Sequence, residues 1–193
     1  ISTGYVYPFP KAQITYRSKD MNGFNFAVGI MDPNKAAAGS SEDTPRMEFE
    51  ASYAVNLDSA AVKAWVNGVS QSSEVAGISQ DQSGVGYGLN VKFSGISLTA
   101  SGYSSEGLGH VAGLDHVVGA ESNESEGMLV QASYTMGDNR FVISSGETEN
   151  LDTANTAAGT TTHKNFALGY FLTVRPGVIL VAEYNNTESE NSV

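Results

Sequence analysis

The sequence contains no cysteine. That absence removes disulfides, thiolate metal sites and thiol nucleophiles, and it fits an exported bacterial protein that does not rely on disulfide staples. It also lacks any run of about 18 apolar residues, which excludes a helical membrane span. Cations are scarce: 10 Lys and Arg against 21 Asp and Glu give a net charge of −11. This argues against a nucleic-acid partner, because phosphate contacts are made chiefly by Lys and Arg. A slightly polar average composition does not exclude a membrane. A transmembrane strand needs only about 9 to 11 residues and shows every second one to lipid, so half of it can stay polar.

What is present favours strands. Glycine and aromatics are frequent (21 Gly, 9 Tyr, 8 Phe), and apolar residues alternate with polar ones in ten segments, as in strands with one lipid face and one water face. The first pair, Ala12 to Ser18 and Phe24 to Met31, joined by Lys19 to Gly23, carries Ile14, Tyr16, Phe24, Phe26, Val28 and Ile30 on one face and Gln13, Thr15, Arg17 and Asn25 on the other. The second, Met47 to Val55 and Val62 to Val69, joined by Asn56 to Ala60, gathers Glu48, Glu50, Ser52, Lys63 and Asn67 on one face, which two glutamates forbid to lipid. In the third, a two-residue turn at Ser94 and Gly95 pairs Phe93 with Ile96, Val91 with Leu98 and Leu89 with Ala100. The fourth is expected to turn at Asp138 and Asn139, with Met136 opposite Phe141 and Tyr134 opposite Ile143. The fifth, Phe166 to Val174 and Val178 to Tyr184, turns through Arg175, Pro176 and Gly177 and pairs Val174 with Val178, Leu172 with Leu180 and Tyr170 with Ala182. Phe171, Ile179 and Val181 break its alternation, which suggests partial cover on both faces.

Between these pairs run long polar segments, Asp32 to Pro45, Ser70 to Ser83, Ser104 to Gly127 and Gly146 to Lys164, read as loops. Loops of that length are uncommon in compact soluble domains. Strict alternation of tight turn and long loop is the pattern of an antiparallel up-and-down transmembrane β-barrel, with tight turns toward the periplasm and loops outside. Aromatics fall where interfacial girdles are expected: Phe24, Phe93 and Phe141 near the turns, and Tyr87, Tyr103, Phe166 and Tyr184 toward the loops. The expected architecture is therefore all-β, with about ten strands of a barrel in one domain over 1–193. The chain opens at Ile1 and stops at Val193 in a polar run, and is expected to be incomplete at both ends.

Arg17, Lys63 and Lys92 fall mid-strand on the inward face beside Glu48, Glu50 and Glu183. These six are the candidate pore-lining residues, where opposed charges either set up a transverse field across a wet lumen or serve as structural ion pairs. Most of the acids lie in the long segments and the tail, from Asp32, Glu42 and Asp43 through Glu121, Glu124 and Glu126 to Glu188 and Glu190. Solvated loops explain them, as does an anionic vestibule or a rim bridged by divalent ions to lipopolysaccharide phosphates. His110, His116 and His163 sit in separate loops without a carboxylate at ligand spacing, so neither a metal site nor base catalysis is expected, and no cofactor. Gly84, Gly86 and Gly88 imitate a phosphate loop, but their alternation with Val85, Tyr87 and Leu89 marks a strand.

The stretch Ile14-Thr15-Tyr16-Arg17-Ser18-Lys19-Asp20-Met21-Asn22-Gly23-Phe24 resembles the Gram-negative general porin family, whose strand-turn-strand there often reads Tyr-Arg-Ser-Pro-x-Phe-x-Gly-Phe. Lys19 and Met21 depart from that pattern. The resemblance implies an outer-membrane channel, without catalysis, for small hydrophilic solutes and ions. It also implies a homotrimer of barrels of about 16 strands, set in lipid and lipopolysaccharide, each narrowed by an inward-folded loop. Thr3 to Pro8 then looks like the end of that loop, and the ten segments like the sixth to fifteenth strands. Two other classes stay open: an outer-membrane barrel enzyme, which would need paired acids with a His or Ser at the rim, and an all-β adhesive or structural surface protein, which would lack lipid-facing girdles.

Overall fold

The computed structural model describes residues 11–35, 39–108, 123–152 and 159–192. They form one antiparallel sheet in which ten strands follow in chain order. These are β1 (Gln13–Arg17), β2 (Phe24–Met31), β3 (Arg46–Asn56), β4 (Ala60–Val75), β5 (Ile78–Phe93), β6 (Ile96–Glu106), β7 (Asn123–Met136), β8 (Asn139–Asp152), β9 (Thr160–Arg175) and β10 (Val178–Ser192). Every pairing among the described residues is between neighbours in sequence, so β1 and β10 are the two edges.

Turn chemistry fixes the hairpins. Asn22–Gly23 and Ser94–Gly95 have positive φ at both positions (55° and 91°, 46° and 81°), the type I′ geometry whose twist matches the flanking strands. Asp58–Ser59 closes β3 on β4 through Leu57 and Ala60. Pro176 before Gly177 (φ 83°) is a type II arrangement. The third hairpin has the expected register, Phe93–Ile96, Val91–Leu98 and Leu89–Ala100. The fourth does not: Gly137 (φ 58°) and Asp138 make the turn, so Met136 faces Asn139 and Tyr134 faces Phe141, two residues away from the expected pairing. A glycine at the first position satisfies the positive φ that Asp138 would have to strain into. In the fifth, Leu172–Leu180 and Tyr170–Ala182 pair as expected, but Val178 faces Arg175 and a bulge leaves Val174 out of the ladder.

The strands outrun the alternation. Ser70 to Ser83, expected as a loop, is a continuous ladder from Ser70–Ser83 up to Val75–Ile78, closed by Ala76 (φ 53°) and Gly77 (φ 79°). Likewise β6 reaches Glu106, β7 starts at Asn123, β8 reaches Asp152, β9 starts at Thr160, and the polar tail is paired in β10. Asp32 to Pro45 lies outside the strands where described, except that Ser41 pairs with Glu74.

Polarity is inverted relative to a soluble sheet. Among the described residues only three apolar side chains are fully covered, Ala27, Tyr103 and Leu108, against nine polar ones. Leu89, Val130, Phe141, Ile143 and Leu168 are all more than two-fifths exposed. Apolar side chains outside and polar ones covered are what lipid outside and water inside require.

The pairing also encodes strand tilt. The outer-face row Tyr16–Val28–Phe49–Gly68–Val85–Ser104–Glu126–Glu149–Thr162–Glu190 turns polar at β6. The row Val55–Val62–Val91–Leu98–Ala132–Ile143–Leu168–Tyr184, nearer the turns, stays apolar to β10. The apolar band therefore descends across the sheet, from a centre near Ala27 on β2 to one near Val181 on β10. The short turns descend with it: the row through Gly23 and Ala54 arrives on β10 at Asn185, eight residues above Gly177. That is about one residue per strand; with about 3.3 Å per residue and 4.8 Å between strands it tilts the strands by about 35° to the membrane normal. A horizontal apolar band thus needs tilted strands, as a barrel has.

Candidate functional site: the polar face of the sheet

Register places all six candidate residues on the polar face, but not as one cluster. Arg17 on β1 and Glu50 on β3 reach toward each other over the small, covered Ala27 of β2, Nη1 to Oε1 4.0 Å. Their side chains are 67 % and 43 % exposed, so the pair is screened by solvent and adds at most about 1 kcal/mol to stability. Glu48 instead is bound by Arg46, whose Nε donates to its Oε1 at 2.7 Å while Arg46 itself is almost wholly covered. Lys63 and Lys92 are exposed on β4 and β5, between mid-height and the short turns, and no ion pair holds either among the described residues. Glu183 stands on β10 in the same row as Lys92, with Ser97, Ser133, Val142 and Gly169 between them. The expected juxtaposition of opposite charges is thus realised only on β1–β3.

From β6 to β9 this face is mostly uncharged. Asn90 Nδ2 donates to Ser97 Oγ (3.0 Å) and Thr99 Oγ1 (2.7 Å), and Asn165 Nδ2 to Asn185 Oδ1 (2.6 Å) and Thr187 Oγ1 (2.9 Å). Toward the long-segment end, Tyr103 Oη and Ser125 Oγ are 2.9 Å apart and Ser125 donates to Asn150 Oδ1 at 2.8 Å. Segment 32–35 folds against the same end: Asn34 N donates to Gln71 Oε1 (3.1 Å) and Gln71 Nε2 donates back to Asn34 O (2.8 Å).

Four residues of this face escaped the sequence reading, and strand parity could have found each. Arg46 shares parity with Glu48, Trp65 with Lys63 and Asn67, Arg140 with Ser144, and Tyr103 with Ser97, Thr99 and Ser101. Tyr103 is therefore no girdle residue, and is 7 % exposed on the polar face. Arg140 stacks on Phe171, its Cζ 5.4 Å from the ring centre, which gives Phe171 a place on a polar face. Ile179 and Val181, expected under partial cover, are 58 % and 57 % exposed. His163 is not in a loop but on β9, its Nδ1 2.8 Å from Ser189 Oγ. His110, His116 and Thr3 to Pro8 lie outside the described residues. Among the described residues no group of His, Asp and Glu could hold a metal ion.

An antiparallel sheet with tilted strands, an apolar exposed face and a hydrated polar one is the wall of an outer-membrane β-barrel. The chain belongs to the Gram-negative porin family, which it matches over residues 3–192, a family of channels and not of enzymes. It is similar to the outer membrane channel DcaP of Acinetobacter baumannii (TM-score 0.74, 16 % identity, 94 % of this chain and 57 % of that one). It is also similar to OmpT, an outer membrane protein of Vibrio cholerae (TM-score 0.58, 12 % identity, 93 % of this chain and 54 % of that one). The chain thus spans a little over half the length of these structures, and its place is the outer membrane. No curated protein matches it.

Proposed function

We propose that this chain supplies wall strands to a passive diffusion channel for small hydrophilic solutes and ions, as one barrel domain. The observation that carries the reading is the predominantly polar face that runs across the ten strands, backed by an exposed apolar band. Arg17, Glu48, Glu50, Lys63, Lys92 and Glu183 are its pore-lining charges. A homotrimer is the assembly that the family resemblance suggests. Lipid surrounds the band, and the outer-face acids above it, Glu106, Glu124, Glu126 and Glu149, are suited to meet lipopolysaccharide phosphates through divalent ions. The test is reconstitution of the full-length porin in a planar bilayer. Stepwise, ohmic KCl conductance supports the reading, and silent membranes with correctly folded protein overturn it.

A further inference from the structure

Trp65 is the single tryptophan of the chain, and it faces the polar side at mid-height of the apolar band, where a barrel has no need of an interfacial anchor. Its partner across β5 is Gly88. The indole lies over that glycine so closely that a Cβ there would stand 2.1 Å from Cζ2. Two residues along the strand, Asn67 covers Gly86 in the same way, with its Oδ1 2.6 Å from where a Cβ would be. The two glycines therefore let a flat indole and an amide lie down on the wall instead of standing into the passage. Trp65 and Asn67 line a cavity of about 710 Å³ together with Glu50, Arg17 and Ser101, within the size range of small-molecule sites.

On the premise that the polar face lines a channel, we infer that Trp65 is a stacking platform for an uncharged pyranose ring in transit, with Asn67, Glu50 and Ser101 taking its hydroxyls. A sugar ring has one apolar C–H face and a polar edge, which match an indole plane rimmed by amide, carboxylate and hydroxyl groups. A cation is the other guest that an indole attracts. Here the lining charges offset one another, Arg17 with Glu50 and Arg46 with Glu48, and Lys63 two residues along β4 adds a positive charge on the same face, so no net field draws a cation in. A carboxylate guest meets Arg17 and Arg46 as well as Glu50 and Glu48 in the same cavity, so no net field draws it in either. A neutral ring needs no such field.

The probes are maltose, glycerol and choline, added to the full-length porin in detergent and in planar bilayers. Maltose should change saturably the part of the emission that Trp65→Phe removes and reduce KCl current through the open pore, while glycerol at equal concentration should do neither. Trp65→Ala should weaken the maltose effect on current about three- to tenfold, the worth of one aromatic contact, with Trp65→Phe between the two. Gly88→Ala, which lifts the indole off the wall while keeping it, should weaken the effect as well. Emission unmoved by maltose, or equal current block in wild type and Trp65→Ala, overturns the inference, and so does a response to choline alone. Emission is read without conductance, so a silent bilayer with a maltose-sensitive indole would sink the channel reading and leave the sugar site standing.

Discussion

Leu89 offers a quantitative test of sidedness. It is 45 % exposed and central among the outer-face residues of β5, from Val85 to Phe93, with Ala64 and Ala100 as cross-strand neighbours. Four residues at about 3.3 Å each separate it from either end, about 13 Å along the strand. An Arg side chain spans roughly half that, so its guanidinium cannot snorkel to water. Leu89→Arg should then lose about 2 to 4 kcal/mol of barrel stability. Asn90, one residue on, faces the other way, but its amide bonds to Ser97 and Thr99 are lost in any substitution. Alanine references remove that term. The Arg-minus-Ala difference should be about 2 to 4 kcal/mol at position 89 and near zero at position 90. The measurement is urea-driven unfolding from lipid vesicles, followed by Trp65 emission and by gel mobility before and after heating. Equal Arg-minus-Ala differences at the two positions would refute the assignment of faces and, with it, the tilt derived from the apolar band.

Three further outcomes are expected. The product should be detergent-soluble and run as a heat-sensitive trimer on gels; a folded, monodisperse protein in plain buffer would contradict the exposed apolar band. Reversal potentials under a salt gradient should favour cations, and the preference should shrink with ionic strength, as screening over a Debye length of about 8 Å at physiological salt requires. Glu50→Gln should reduce that preference, since among the described residues the one ion pair of Glu50 is with the exposed Arg17 at 4.0 Å; anion preference at low salt would mean that the basic residues outweigh the acids. Gly177→Ala, in open space at φ 83°, should cost about 1 to 2 kcal/mol from backbone strain alone. Gly23→Ala should cost about 1 to 3 kcal/mol more, because its Cβ would fall 2.0 Å from Ala54 O; equal losses in denaturant titrations would contradict that contact.

How much could be read from the residues depended on whether lipid touched them. Between Val85 and Phe93 the outer face is apolar and the inner face small or polar, so strand, face and register were all legible, and Ser94–Gly95 fixed the pairing independently. Above the band, both faces of Ser70–Val75 and Ile78–Ser83 meet water or protein, the apolar signal vanishes, and only backbone pairing remains. Loop and strand look alike there in sequence. The fourth hairpin failed for a different reason: moving the turn by one residue, from Gly137–Asp138 to Asp138–Asn139, shifts the pairing by two and preserves every side chain's face, so the hydrophobic pattern cannot distinguish the registers. Of the candidate site, the face on which the six charges fall could be read from parity, but their grouping could not. Which of them meet depends on how far each strand has slid past the last, and on small residues such as Ala27 that let Arg17 and Glu50 reach across a strand.

The tall β4–β5 hairpin has a consequence for how such a surface can vary. Above Gly68 and Val85 its outer-face positions, Ser70, Ser72, Glu74, Ser79, Asp81 and Ser83, belong to a ladder held by backbone groups up to the Ala76–Gly77 tip. No lipid and no apolar packing dictates which residues occupy them. The ribbon therefore keeps its shape whatever side chains it carries, so the lettering of that end is free to change while the wall below it stays the same.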